Sequence, residues 1–266
     1  MSGQGKNGPM LWLRSAVFNL LYGLWTGSMH IVCLPLLLGP RRWVYGAASL
    51  WIGVTVWLLK TVVGLDYRVT GAENLPAGPA IYAAKHQSAW ETLVLSRDLR
   101  FPAFVLKREL LSIPLFGWFI KKAGMIAVDR AAGANALRQM SRQATEVFDS
   151  GRSVLIFPEG TRVAPGQRRP YHPGVAALYT QLKVPVVPVA LNSGLFWGRR
   201  AFIKRPGVIT VQFLPPIPPG LDRKGLMREL ENRIETAANT LAHGSPRTCP
   251  EPVHKLIHRL WMSVEM

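Results

Sequence analysis

In the run His86-Gln87-Ser88-Ala89-Trp90-Glu91 a histidine precedes a carboxylate by five residues, where an apolar β-like stretch gives way to a helix. Imidazole, with an unperturbed pKa of about 6.5, is the side chain that takes up and returns a proton near neutral pH. A carboxylate beside it fixes the tautomer and steadies the imidazolium that forms. Five residues turn a regular helix through about 500°, so the two side chains do not share a face of one helix. They converge if His86 lies just ahead of the helix and Glu91 in its first turn, with Ser88 as the cap. The same residues also fit an S-x-x-E capping box, in which Glu91 reaches back to the cap's own N–H and His86 is an ordinary strand-end histidine.

A second cluster follows downstream. Val154-Leu155-Ile156-Phe157 reads as a buried strand running into Pro158-Glu159-Gly160-Thr161-Arg162. Gly160 permits close backbone approach, Thr161 supplies a hydroxyl, and Arg162 a bidentate fork, a set suited to phosphate. Glu159 stands alone as an acid in a basic region, either as partner to an arginine or as contact for a substrate hydroxyl. The bland alternative is a strand-ending turn with a surface ion pair. A third segment, Gly124–Arg130, again delivers an arginine at a strand end, with Asp129 beside it. The fourth, Val184-Pro185-Val186-Val187-Pro188-Val189-Ala190, is an apolar strand punctuated by prolines. Proline cannot donate to a sheet ladder, which places this strand at an edge or in a special backbone geometry.

The elements that position these residues follow from hydrophobic period. Strands are expected at 66–69, 80–84, 103–106, 125–128, 154–157, 186–190 and 208–213, and helices at 91–99, 134–150, 174–182 and 223–241. The fold class is therefore α/β, with a central, largely buried mixed sheet flanked by helices. Ahead of it, Ala16–Leu38 and Trp43–Leu59 are two apolar runs, each near the length that crosses a bilayer, separated by Gly39-Pro40-Arg41-Arg42. Two spans would carry that arginine pair across the membrane, against the positive-inside rule. Two interfacial helices, with Arg14, Arg41, Arg42 and Lys60 at headgroup level, avoid this and are preferred. Beyond Arg247-Thr248-Cys249-Pro250, residues 253–264 repeat apolar positions at helical spacing, as an amphipathic tail that lies on a membrane or covers the domain. Three segments result: an N-terminal membrane-associated pair of helices (1–65), a catalytic domain (66–242), and a linker with amphipathic helix (243–266).

Composition narrows the partners. The formal charge is +17, and no acidic residue occurs before Asp66 or between Glu159 and Asp222. Such a field attracts nucleic acid, anionic headgroups or phosphorylated small molecules. No nucleic-acid motif appears, and two long apolar runs are poor company for one. A serine hydrolase lacks its G-x-S-x-G elbow. The two cysteines, Cys33 and Cys249, form no spaced pair, so neither a disulfide framework nor a metal site is indicated, which suits a reducing cytoplasm. A non-catalytic lipid-binding protein remains as a rival of a different class.

Taken in this order and spacing, the four segments resemble the glycerolipid acyltransferase family that includes the 1-acylglycerol-3-phosphate acyltransferases. The likeness runs from about Gly71 to Asn192 and rests on the H-x4-acid together with F-P-E-G-T-R. Two departures stand out: Glu91 where most members have aspartate, and His172 where many carry lysine before the glycine. The resemblance implies acyl transfer from an acyl thioester, on coenzyme A or acyl carrier protein, to the free sn-2 hydroxyl of a lysophosphatidate, with a lyso-ornithine lipid or glycerol 3-phosphate as alternative acceptors. It implies His86 as general base and Glu91 as its orienting acid. Arg130, Gly160, Thr161 and Arg162, with Glu159 beside them, become the phosphate-recognition set, and Lys107 a speculative addition. No cofactor is implied beyond the acyl donor, and no metal. The expected location is the cytoplasmic face of the cell membrane, against an anionic lipid surface.

Overall fold

The computed structural model describes residues 8–244. Cys249, the linker and the amphipathic tail expected at 253–264 lie outside the described residues. The chain begins with two long helices, α1 (Pro9–Val32) and α2 (Arg41–Leu58), the latter extended by a π-helical turn at Leu59–Val63. There follow β1 (Leu65–Thr70), β2 (Ile81–Ala84), α3 (Trp90–Asp98), β3 (Ala103–Lys107), α4 (Phe116–Lys122) and β4 (Ile126–Val128). The remainder is α5 (Ala134–Asp149), β5 (Val154–Ile156), α6 (Gly174–Leu182), β6 (Val186–Leu191), β7 (Gly207–Phe213) and α7 (Arg223–His243).

The seven strands form one mixed sheet in the order β1-β7-β6-β2-β5-β3-β4. From β6 to β4 every pairing is parallel, while β7 runs antiparallel to β6 and carries β1 parallel to itself. Side chains along a strand alternate between faces, and β2 shows how this builds three layers. Ile81 and Ala83 enter a core with Met140, Val175, Leu226, Leu230 and Ile234 of α5, α6 and α7. Tyr82 and Ala84 enter the opposite core, with Phe18, Ile52, Val56, Trp90 and Val94 of α1, α2 and α3. The described part of segment 1–65 thus shares its core with the sheet that follows it.

The outer surfaces of α1 and α2 are another matter. Trp12, Leu20, Leu24, Ile31, Leu50 and Trp57 are exposed there, and Phe116 and Trp118 of α4 extend the apolar surface. Among the described residues, one helical run, Arg41–Val63, is long and apolar enough to cross a membrane.

Of the two settings expected for the proline-punctuated strand, an edge or a special backbone geometry, the structure shows the second. β6 lies inside the sheet, between β2 and β7, and is wholly buried. Its pairing with β7 covers only Val189–Leu191, and resumes as an isolated bridge from Val186 to Ile217. Pro188 faces Leu214 at the border of this gap: its carbonyl accepts from Leu214 N–H at 2.9 Å, the return bond that proline cannot donate is missing, and the ladder breaks beside it at Pro215-Pro216. Helix α4 is an element the sequence pattern does not announce, since it is seven residues long and follows Pro114.

Candidate active site

Open α/β sheets bind ligands beyond the carboxyl ends of their parallel strands. Here those ends deliver His86 after β2, Lys107 at the end of β3, Arg130 after β4, residues 159–162 after β5 and Ser193 after β6. The topology alone gathers the expected residues along one edge.

His86 and Glu91 meet as the spacing requires. His86 precedes α3, Glu91 occupies its first turn, and His86 Nδ1 lies 2.9 Å from Glu91 Oε1. A carboxylate only accepts, so Nδ1 carries the proton and Nε2 keeps a free lone pair. Glu91 is fully buried. Its Oε1 also accepts from the N–H groups of Gln87 (2.7 Å) and Ser88 (2.6 Å), and Ser193 Oγ donates to Oε2 at 2.7 Å. One carboxylate therefore both makes the capping-box bond to Ser88 N–H and meets the imidazole. Ser88 itself caps by accepting from Trp90 N–H at 3.1 Å. The imidazole stacks on Phe157, with centroids 4.0 Å apart and planes 15° from parallel. About an eighth of the side chain (13%) remains open to solvent.

The turn after β5 grips the backbone of His86 from both sides. Glu159 Oε2 accepts from His86 N–H at 2.8 Å, and Val163 N–H donates to the His86 carbonyl at 2.8 Å. Gly160 has φ +65°, and its carbonyl accepts from Arg130 Nη1 at 2.7 Å. A Cβ on Gly160 would fall 2.7 Å from Cδ2 of His172 and 3.3 Å from Arg130, so His172 and Arg130 both lie against this turn. Arg162 lies near Tyr22 of α1, close enough for electrostatic interaction. Among the described residues no protein hydrogen bond or ion pair occupies Thr161 or Arg162, which are partly exposed beside the histidine. Arg130, Gly160, Thr161 and Arg162 are thus brought together with His86.

Glu159 takes neither of the places expected of it, while Lys107 is an exposed lysine at the end of β3, the ordinary setting for that residue. Glu159 meets neither an arginine nor solvent: only 1% exposed, it receives Lys85 Nζ on Oε1 at 2.6 Å and His86 N–H on Oε2. Burial pushes its carboxyl above the usual range, against the lowering effect of Lys85 and the His86 N–H. Lys107 is exposed and paired with Glu109 at 2.7 Å. Three participants escape sequence reasoning: Ser193, Lys85 and Glu235. Lys85 Nζ also donates to Glu235 Oε1 at 2.6 Å, across 150 residues of chain. The available signal was parity, because Lys85 follows Ile81 and Ala83 onto the face that α7 covers.

The fold and site define a three-layered α/β domain with a carboxylate-backed imidazole beside an arginine-bearing turn. Comparison with known proteins gives that arrangement a family. Residues 66–192 match the family model described as Acyltransferase. A 1-acyl-sn-glycerol-3-phosphate acyltransferase of Pseudomonas aeruginosa is 36% identical over 239 residues, covering 88% of this chain and 92% of that protein. A lyso-ornithine lipid O-acyltransferase of the same organism is 30% identical, over 68% of this chain and 76% of its own length. The crystal structure of the 1-acyl-sn-glycerophosphate acyltransferase from Thermotoga maritima superposes with a TM-score of 0.66 at 22% identity, over 87% of this chain and 94% of that one, which establishes the shared fold. The chain belongs to the glycerolipid acyltransferase family, on the branch of the 1-acylglycerol-3-phosphate acyltransferases, and is an acyltransferase. Its apolar helix and its relatives point to membrane association.

Proposed function

We propose that this enzyme moves an acyl group from an acyl thioester, on coenzyme A or acyl carrier protein, to the sn-2 hydroxyl of 1-acyl-sn-glycerol 3-phosphate, forming phosphatidic acid. The observation that carries this reading is the His86–Glu91 pair, whose Nε2 is unclaimed while the His86 backbone is clamped to the turn bearing Arg162. The acceptor alcohol is a weak nucleophile until its proton leaves as the new bond forms. Nε2 takes that proton, the oxygen attacks the thioester carbon directly, and the thiolate departs with the proton returned from the imidazolium. Glu91 offsets the positive charge of the ring through this cycle. Arg162 and Thr161, with Arg130 bracing the turn, offer donors to the acceptor phosphate. Glu159 serves that site from behind, by holding the His86 backbone.

The helices support shallow embedding in a membrane rather than two crossings, and the cytoplasmic face of the cell membrane is the side we propose. Near the start of α1, Lys204 Nζ donates to Asn19 Oδ1 at 2.7 Å and Lys204 N–H to Ser15 Oγ at 3.0 Å. Toward the other end of α1, about 17–22 Å further along at 1.5 Å per residue, His30 packs edge-on to Phe119 of α4 (5.6 Å). There too, Arg41 and Tyr45 donate to the carbonyls of Lys122 and Ala123. Both ends of the hairpin are held by the same catalytic domain, so both lie on one side of the bilayer.

A lyso-ornithine lipid acceptor is the second reading, favoured by the relative of that activity. Purified enzyme, labelled acyl-CoA or acyl carrier protein, and a panel of lyso-acceptors including glycerol 3-phosphate distinguish these by product identity. Phosphatidic acid is expected as the main product; lyso-ornithine lipid consumed in its place, with lysophosphatidate untouched, would overturn the assignment.

A further inference from the structure

Behind the histidine, on the side of the sheet away from α1, lies a buried group of charges that the transfer reaction does not touch. Lys85 points there because strand alternation drives it to the α7 face, while His86, one residue on, faces the opposite layer. Its ammonium is 2% exposed and sits between Glu159 Oε1 and Glu235 Oε1, each at 2.6 Å. Glu235 Oε1 also accepts from Tyr171 Oη at 3.0 Å. Tyr171 precedes His172, whose N–H donates to the Pro158 carbonyl at 2.8 Å and whose ring lies against Gly160. Contacts thus run without a break from α7 to Lys85, to Glu159, and to the N–H of His86. A second branch runs from Glu235 through Tyr171 to the far side of the same turn.

A buried ammonium without a carboxylate costs several kcal/mol, so a chain with lysine at this position requires an acid within reach. One would balance it. Two carboxylates around one ammonium leave an excess negative charge, and burial raises Glu159 in the direction that relieves this by taking a proton. We propose that Lys85 and Glu235 are positioning residues for acyl transfer, a buried strut that fixes the His86 backbone and the 159–163 turn relative to each other. This rests on the reading of His86 as base. It assigns to α7, which contributes nothing to the reacting edge, control over the distance between base and phosphate site.

The test is a charge-balance cycle measured as kcat and KM on folded protein. Lys85→Met leaves two buried carboxylates facing each other, and kcat is expected to fall about tenfold while KM for lysophosphatidate stays within about twofold. The ratio of variant to native kcat should rise as pH falls, because a proton shared by the two acids replaces the missing ammonium. Lys85→Met/Glu235→Gln removes the excess charge and should recover at least about threefold over the single variant. If Lys85→Met does not fold, the Glu235 pair decides. Glu235→Gln keeps an acceptor for Lys85 and Tyr171 and should retain clearly more kcat than Glu235→Leu. A double variant worse than the single, a flat pH ratio, or equal losses for Gln and Leu would overturn the proposal. His86→Ala in the same assay separates the two ideas, since transfer surviving that change refutes the base whatever Lys85 does.

Discussion

Replacing Glu91 by glutamine tests the chemistry without disturbing the shape of the site. The carboxylate accepts from His86 Nδ1, Gln87 N–H, Ser88 N–H and Ser193 Oγ. An amide with its oxygen at the Oε1 position keeps the first three. Its NH2 then faces Ser193, whose hydroxyl rotates to accept. What vanishes is the negative charge beside an imidazole that must become positive. Hydrogen bonds to charged partners are worth about 1.5–3 kcal/mol against roughly 1 for neutral ones, and the fully buried site is poorly screened. A loss of about 2–3 kcal/mol in the transition state corresponds to roughly 30- to 150-fold in kcat. The assay is turnover of labelled acyl thioester with lysophosphatidate, with thermal melting alongside. Glu91→Ala is the contrast, because it strands two buried N–H groups at about 1–3 kcal/mol each and should lower the melting temperature as well. A Glu91→Gln enzyme within threefold of native kcat would refute the view that Glu91 acts by its charge.

Three further outcomes follow from the geometry. Ser193→Ala removes one hydrogen bond from the Glu91 carboxylate and should lower kcat about three- to tenfold, measured on the same assay, with KM little changed. Gly160→Ala places a methyl group against His172 in a left-handed backbone conformation that costs about 1–2 kcal/mol, so acceptor KM should rise and the melting temperature fall. Burial pushes Lys204 down to about 8. The folded protein therefore sheds this proton before the unfolded chain does, and between pH 8 and the ordinary lysine range the site's contribution to stability rises with pH. Lys204→Met should lack that rise, seen as a flatter difference in melting temperature between pH 7.5 and 10.

The seven strands were legible to within one or two residues because each is a short, mostly apolar run closed by glycine, proline or a polar turn. The long helices showed their period, and α5 ends as its glycine indicates, with Gly151 N–H donating to Phe148 and Arg152 N–H to Val147. Pro188 left an edge and a special geometry both open, because exclusion from a ladder depends on what the neighbouring strand does at that register, here a break at Pro215-Pro216. His86 and Glu91 lie five residues apart and could be paired from the sequence. Glu159 could not be placed, because its partners Lys85 and His86 arrive from 74 and 73 residues away. Ser193 reaches Glu91 across 102 residues. Tertiary contact of that kind leaves no periodicity in the chain.

The grip of Lys204 on Ser15 and Asn19 sets a schedule for synthesis. The two sides of that contact are separated by 189 residues, which at about 5–20 residues per second takes a ribosome roughly 10–40 s to make. The hairpin is complete at Val63, and the remaining stretch to Lys204 (about 141 residues, roughly 7–28 s) is made while its oily inner face still lacks the loop and the closing strand β7 that cover it. A lipid surface or a chaperone must shelter it meanwhile, so the nascent chain needs a partner before it owns a finished core.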